Sequence, residues 1–270
     1  MIKKTPMVSV ILPTYNWREE WIRKSIESVL SQTFKDFEFI IINDCSTNDI
    51  EKTIKEYEKK DSRIVYVKNE KNLKQTRTMS KGISLSNWKY ISRIDDDDIR
   101  ADNTQLQQQF DFMEKNPDYW IVWTNAEIMD ENENFLYILN RPWTDKEIRD
   151  NMLVWCRFLQ SSIMMRKSVL DKVWWYDSNW NLVEDYELFL RIWIVSKMRI
   201  INDIHSKYRV NLKSVTRMNY KKQKWMTLKL FFKYYPKKYL LKALCYRFWE
   251  LIVPLWITRK VLMKLRSVKI

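Results

Sequence analysis

The stretch Val8-Ser9-Val10-Ile11-Leu12-Pro13-Thr14-Tyr15-Asn16 decides the fold. Val8 to Leu12 is a short apolar run rich in β-branched residues and closed by Pro13, so it reads as a buried strand ending in a turn. Residues 18 to 32 follow, with Ile22, Ile26, Val29 and Leu30 spaced by three and four, the period of an amphipathic helix. Phe37 to Ile42 is a second strand whose unbroken apolar character suits burial on both faces of a parallel sheet.

The alternation continues with a helix over about 49 to 60, a strand at Ile64 to Val67, a helix from about 73 to 86 and a strand at Lys89 to Ile94. Such a pattern builds a doubly wound α/β sheet with helices on both faces, the form of a nucleotide-binding half. Further on, residues 103 to 115 read as helix, Tyr119 to Thr124 and Gln160 to Met165 as strands, and Glu184 to Val195 as helix. The segment 125 to 159 carries the weakest pattern and is expected to face a second substrate.

In open α/β sheets, ligands bind beyond the carboxyl ends of the strands, so the polar residues after each strand are the candidates. Tyr15, after strand one, could stack on or hydrogen-bond a flat ring, although a plain capped turn would read the same. In Asn43-Asp44-Cys45-Ser46 a carboxylate could accept from a base or ribose, and Ser46 or Thr47 could cap the next helix.

Asp95-Asp96-Asp97-Asp98 is harder to explain as structure alone. Adjacent carboxylates repel one another at a strand end unless a cation neutralises them. Oxygen-only ligands suit Mg²⁺ or Mn²⁺, which take their remaining ligands from phosphates and water. Glu184-Asp185 opens a helical run, where the helix dipole favours acids and where a carboxylate is also well placed as a general base.

Taken in order, these clusters resemble the family 2 glycosyltransferases of the GT-A fold. The opening stretch and Ser25-Ile26-Glu27-Ser28-Val29-Leu30-Ser31-Gln32-Thr33-Phe34 are similar to that family's start almost residue by residue, and the resemblance runs from about residue 7 to 216. It implies a GT-A doubly wound mixed sheet as the catalytic domain over 1–216, followed by a basic aromatic helical tail over 217–270. Pro13, Tyr15 and Asp44 would then bind the donor, with Tyr15 and Asp44 against a uracil-type base. Asp44 matches the second acid of the family's Asp-Asp-x-Ser element, and Asn43 replaces the first.

Asp95 and Asp97 align with the family's Asp-x-Asp motif, which orders the ribose and holds Mg²⁺ or Mn²⁺ on the diphosphate. Asp96 lies between them in the donor site, and Asp98 is the usual third acid. Asp185 aligns with the catalytic base and Glu184 with its supporting partner, which implies a single inverting displacement. The family often has a histidine after its Tyr-Arg element, but Asn211 stands there; His205, the only histidine, is expected to be structural or at the surface.

Composition adds an anomaly. A chain of this length ordinarily carries about 7% glycine, or roughly 19 residues, yet this one has 1 Gly and 14 Trp. Trp17, Trp88, Trp120, Trp123, Trp174 and Trp175 stand where the resembled family has glycine, and several lie in turns that ask for positive φ. An AT-rich genome explains scarce glycine but not abundant tryptophan. Our hypothesis is a gene from a lineage in which UGA encodes glycine, its UGA codons standing here as tryptophan; UGG codons at 17, 88, 174 and 175 would overturn it.

Charge is also unevenly placed. Residues 206–270 carry 18 Lys and Arg and one acid, Glu250, a balance of +17; the remainder, with 30 basic and 33 acidic residues, stands at −3 within a chain of +14. The tail interleaves its lysines with Trp225, Phe231, Phe232, Tyr234, Tyr235, Tyr239, Tyr246, Phe248, Trp249 and Trp256, a composition that suits an anionic bilayer surface. Its longest uncharged run, Leu251 to Thr258, is far below the roughly 18 to 20 residues a bilayer span requires.

Nucleic acid would use the same residue types but ranks second, because the first domain is not basic. A third reading is a nucleotide-sugar-binding domain without turnover, which would have no need of Asp185. Cys45, Cys156 and Cys245 are odd in number and widely spaced, which argues against a disulfide framework or zinc site. With a strand starting almost at once and no signal peptide of usual length before it, the expectation is a cytoplasmic protein touching the membrane from inside. It would bind a nucleotide-sugar donor and a saccharide or lipid-linked acceptor.

Overall fold

The structure, a computed structural model, describes residues 7–141, 143–152, 158–211 and 218–234. Cys156, Cys245 and the tail from Tyr235 onward lie outside the described residues. The first half runs β1 (Val8–Thr14), α1 (Glu19–Leu30), β2 (Phe37–Asn43), α2 (Ile50–Lys60), β3 (Ile64–Lys68), α3 (Lys74–Leu85) and β4 (Tyr90–Arg93). There follow β5 (Ile99–Arg100), α4 (Gln105–Lys115), β6 (Tyr119–Met129), β7 (Phe135–Leu139) and α5 (Asp145–Asn151). The last elements are β8 (Met164–Arg166), α6 (Lys167–Val173), α7 (Glu184–Val195), β9 (Lys197–Arg209) and α8 (Tyr220–Tyr234).

One mixed sheet holds these strands in the order β3-β2-β1-β4-β8-β6-β9-β5, with β7 beside β6. β1 to β4 are parallel, Val8 lying opposite both Phe37 and Tyr90. β8 is antiparallel to β4 and β6, whereas β9 is parallel to β6. The carboxyl ends of β1, β2, β4 and β6 therefore share one rim.

The period-two alternation of the central strands divides the core in two. Val8, Val10, Leu12, Phe39 and Ile41 pack with Ile22 and Ile26 of α1, Ile50 and Ile54 of α2, and Leu106 and Met113 of α4. Ile11, Ile40 and Ile42 point the other way, into a cluster with Met79 and Ile83 of α3 and with α7 and α8. The single glycine belongs to this second contact: a Cβ on Gly82 would stand 2.6 Å from Ile11 Cγ2, so glycine is what lets α3 lie this close to β1.

Two sequence expectations need correction. Gln160 to Met165 is not one strand: residues 160–162 form a 3-10 turn, and only Met164–Arg166 pairs in the sheet. Trp17, Trp88 and Trp175 do not have positive φ; in the first of those turns Asn16 does, at 56°. Trp174 fits the expectation, with φ 69° and ψ 162° at the end of α6 and its ring 81% exposed. That backbone region is essentially reserved for glycine. Trp123, by contrast, is buried in the core and stacks on Phe158 at 4.1 Å.

Candidate functional site

The turn after β4 brings the four aspartates to the rim in two roles. Asp98 is fully buried: it accepts from the Arg209 backbone N–H at 2.8 Å and from the Ser161 hydroxyl. Ser161 also accepts from the Asp95 N–H at 2.9 Å, so the polar 3-10 turn at 160–162 buttresses the acidic turn. Arg209 donates from Nε to the Asp97 carbonyl at 2.9 Å and reaches Glu133 in the β6–β7 turn at 3.0 Å.

Asp95 and Asp97 stay partly exposed while Asp96 and Asp98 are buried. Asp95 pairs with Arg93 at 2.6 Å. Arg93 itself lies fully inside the protein, at the end of β4. Burial alone would pull its guanidinium down; Asp95, then Tyr176 and Asp185, outweigh that and hold it above its ordinary value. Asp96 has one carboxylate oxygen buried without a partner, and burial and Asp97 push its pKa well above the usual range. Burial and Asp95 push Asp97 up to about 7.

α7 delivers the second acidic pair in its first turn. Asp185 accepts from the Tyr186 N–H at 2.7 Å, and Glu184 keeps Oε2 buried without a partner. Burial and the neighbouring Asp185 push Glu184 up to about 7. Tyr176 lies within electrostatic reach of Glu184 and Asp185, and Tyr208 within reach of both acidic groups. Burial, then Asp185 among its neighbours, drives Tyr176 up to about 12, with Arg93 opposing. Burial followed by Asp98, Asp97, Asp95 and Asp185 drives Tyr208 above its ordinary value. Asp95, Asp97 and Asp185 thus act on one and the same hydroxyl.

On the β1–β2 side, Pro13 is buried within β1 and Tyr15 stands 44% exposed beyond it. Asp44 is held differently from the other acids: its carboxylate accepts from Asn69 Nδ2 at 2.7 Å, Leu73 N at 2.8 Å and Lys74 N at 2.9 Å. Asn43 accepts from Ser46 N at 2.8 Å and donates to the Tyr66 hydroxyl at 3.1 Å, so it shapes the turn. His205 is buried, 3.4 Å from Asp102, and burial lowers its pKa.

The rim gathers six acids, Asp95 to Asp98 with Glu184 and Asp185, against Arg93 and Arg209. Among the described residues no three acidic, histidine or cysteine side chains converge to form a cation cage. The donor set nevertheless fits Mg²⁺ or Mn²⁺ of the kind held by one or two carboxylates, with phosphate and water completing the shell. Asp96 keeps one buried oxygen without a partner, and the raised pKa of Asp97 means that burial and Asp95 disfavour its ionised form, which a bound cation would favour. Tyr208 and Arg209 were read in the sequence only as the match to the resembled family's Tyr-Arg element, with no role given; Arg93, Ser161 and Tyr176 were missed, and of these Arg93, a charge inside a buried strand near Asp95, left a readable signal.

Comparison with known proteins accords with this geometry. The sequence model of Glycosyl transferase family 2 matches residues 9–174. An uncharacterized glycosyltransferase of Methanocaldococcus jannaschii is 36% identical over 234 residues, covering 84% of this chain and 80% of its own length. The O-antigen biosynthesis glycosyltransferase WbnJ of Escherichia coli is 31% identical over 190 residues, covering 69% of this chain and 71% of its own. The crystal structure of S. aureus TarS 1-349 in complex with UDP-GlcNAc superposes with a TM-score of 0.71 over 92% of this chain and 76% of that chain, at 15% identity, which is a likeness of fold.

Proposed function

The chain belongs to Glycosyl transferase family 2 and has the GT-A fold, and we propose that it moves a sugar from a nucleotide-sugar, with UDP as the nucleotide, to a hydroxyl acceptor with inversion. The product would be a cell-surface polysaccharide or glycolipid, as the O-antigen role of the WbnJ relative suggests. The observation that carries this reading is the match to that family over residues 9–174, a span that includes the acidic turn at Asp95 to Asp98.

In this reading Asp185 takes the proton of the acceptor hydroxyl while that oxygen attacks the anomeric carbon and the bond to the diphosphate breaks. Glu184, with its pKa near 7, supports the base by sharing its negative field. Tyr15 and Asp44 face the base of the nucleotide; Asp95 and Asp96 lie along the ribose and phosphates. Asp97, with Asp95, would hold Mg²⁺ or Mn²⁺, which supplies Lewis-acid stabilisation of the leaving diphosphate. The tail would keep the enzyme at the inner membrane face, near a saccharide or lipid-linked acceptor.

The test is UDP release from UDP-sugars with Mn²⁺, with and without an acceptor. It is best run on a chain with glycine at 17, 88, 120, 123, 174 and 175, beside Asp97→Ala and Asp185→Asn. We expect metal-dependent release, lost by about 10²-fold or more in Asp185→Asn, the usual scale of a missing general base, and lost in Asp97→Ala. Absence of nucleotide binding with any donor would overturn the reading.

A further inference from the structure

The outer face of α8 is used neither by the core nor by the proposed chemistry. Its inner face, with Thr227, Leu230 and Phe231 buried, packs on α7; Gln223 Nε2 donates to Leu182 O at 3.2 Å, and Tyr186 meets Phe231 edge-on. The outer face presents Trp225, 57% exposed, and Phe232, 62% exposed, seven residues apart. Met218, 68% exposed and seven residues before Trp225, precedes the helix. Lys221, Lys222, Lys229 and Lys233 are exposed around these side chains, and the 15 residues of α8 include no acid.

Between α8 and the 3-10 turn at 178–180 lies a cleft of about 530 Å³ lined by Lys222, Lys229, Lys233, Trp180, Trp225 and Asp177, among others. Lys233 Nζ stands 5.1 Å over the Trp180 ring. The carboxylate in this lining, Asp177, is engaged by the Asn179 N–H at 2.9 Å. Three lysines thus line a cleft whose own carboxylate already has a partner; Lys233 also lies 3.9 Å from the buried Glu187, which pairs with Arg191 at 2.6 Å.

We propose that this face seats on a bilayer of anionic phospholipid, with Phe232, Trp225 and Met218 entering the interface and a headgroup phosphate lying in the lysine-lined cleft. The occupant follows from charge: a helix with five lysines and no acid, in a region of balance +17, complements an anionic surface. Large apolar side chains among those lysines suit the headgroup–acyl boundary better than bulk water. Among the described residues no helix is long and apolar enough to cross a membrane, and α8 has the composition of a helix that lies on the surface.

The inference deepens the reading above and rests on it for its purpose. α8 is fastened to α7, whose first turn carries Glu184 and Asp185, so the membrane contact lies one helix away from the proposed base. An acceptor hydroxyl on a lipid anchor would then reach Asp185 while its anchor stays in the bilayer.

The experiment is flotation of the full chain with vesicles of phosphatidylcholine alone and of two parts phosphatidylcholine to one part phosphatidylglycerol. UDP release to a soluble acceptor is measured separately, so a failure of binding and a failure of the glycosyltransferase reading are distinguishable. We expect binding to the anionic vesicles only, weakening with salt. Lys222→Glu/Lys229→Glu should weaken it by about tenfold or more, on the scale set by each basic residue near an anionic surface. Phe232→Glu should weaken it as well, and both variants should keep the wild-type melting temperature and UDP release. Equal binding to neutral vesicles, wild-type binding by both variants, or displacement by a single-stranded oligonucleotide at equal phosphate concentration would each overturn the proposal.

Discussion

Asp44 and Asp97 lie on the same rim, each just beyond a parallel strand, yet they meet opposite fates. Asp44 accepts three hydrogen bonds from the loop at 69–74, and its charge is answered by protein. The Asp97 carboxylate sits among Asp95, Asp96 and Asp98, and its pKa rises to about 7. One carboxylate is a fastener and the other is held against its own neighbours. A carboxylate that the fold satisfies is fixed in place with little acceptor capacity to spare for a neutral partner, whereas a charge left uncompensated is available to a cation.

The comparison can be broken most forcibly at the satisfied end. Asp44→Ala leaves the Leu73 and Lys74 N–H groups without their acceptor, and should cost about 2–4 kcal/mol, the range for losing charged hydrogen bonds in a buried site. Denaturant titration reads this directly. A loss below 1 kcal/mol would mean that the 69–74 loop is held by other contacts.

At the uncompensated end the sign reverses. Burial and Asp185 raise Glu184 from 4.5 to about 7 in the folded chain. Between those values the folded state binds more protons than the unfolded one, so stability falls as pH rises and the loss is complete above pH 7. Glu184→Gln should remove its share of that slope, leaving the share of Asp96, Asp97 and Asp98, and stabilise the chain above pH 7 by about 1–2 kcal/mol, allowing for charge shared with Asp185. Melting curves across the acid-to-neutral range decide it; a wild type whose stability rises over this range would contradict the assignment.

The smallest effect lies away from both carboxylates and sharpens the contrast by separating charge from backbone strain. Trp174 holds φ 69° and ψ 162° with its ring in solvent. Trp174→Gly should therefore stabilise by about 1 kcal/mol, the order of cost of a side chain in a glycine-only region. An unchanged or lower melting temperature would argue that tryptophan is at home there.

The first half of the fold was legible because β1, β2 and β4 are buried on both faces, β3 is a short apolar edge strand and each helix has one apolar stripe. β1 to β4 and α1 to α3 therefore came out within a residue or two, and α7 matched at both ends. The second half showed the start of β6 at Tyr119 but hid β7 and β9. β9 pairs with β6 through register shifts near Thr124 and Asn125, which break the alternation that marks a strand. β7 exposes Phe135, Leu136 and Ile138, so its apolar run has no polar face to set a period. In the segment 125 to 159, α5 did leave a signal that went unread: Thr144 and Glu147 form a capping box.

The site divided in the same way. The acids stood out because Asp95 to Asp98 and Glu184-Asp185 are contiguous in sequence, whereas the groups that orient them come from remote segments. Ser161 reaches Asp98 across 63 residues and Arg209 reaches Asp97 across 112, distances over which single-sequence patterns carry nothing.

Arg209 also sets an order of events in the making of the molecule. It clasps the Asp97 carbonyl, Asp98, Glu133 and, at 4.5 Å, the Trp21 ring. A nascent chain emerges from its N-terminus, so the strands β1 to β4 can pair long before this clasp exists. Contacts of such long sequence separation close last. The acidic turn therefore gains its fixed shape only when nearly the whole sheet has been synthesised, and a chain cut short before β9 would possess every acidic group of the rim without the means to hold them in place.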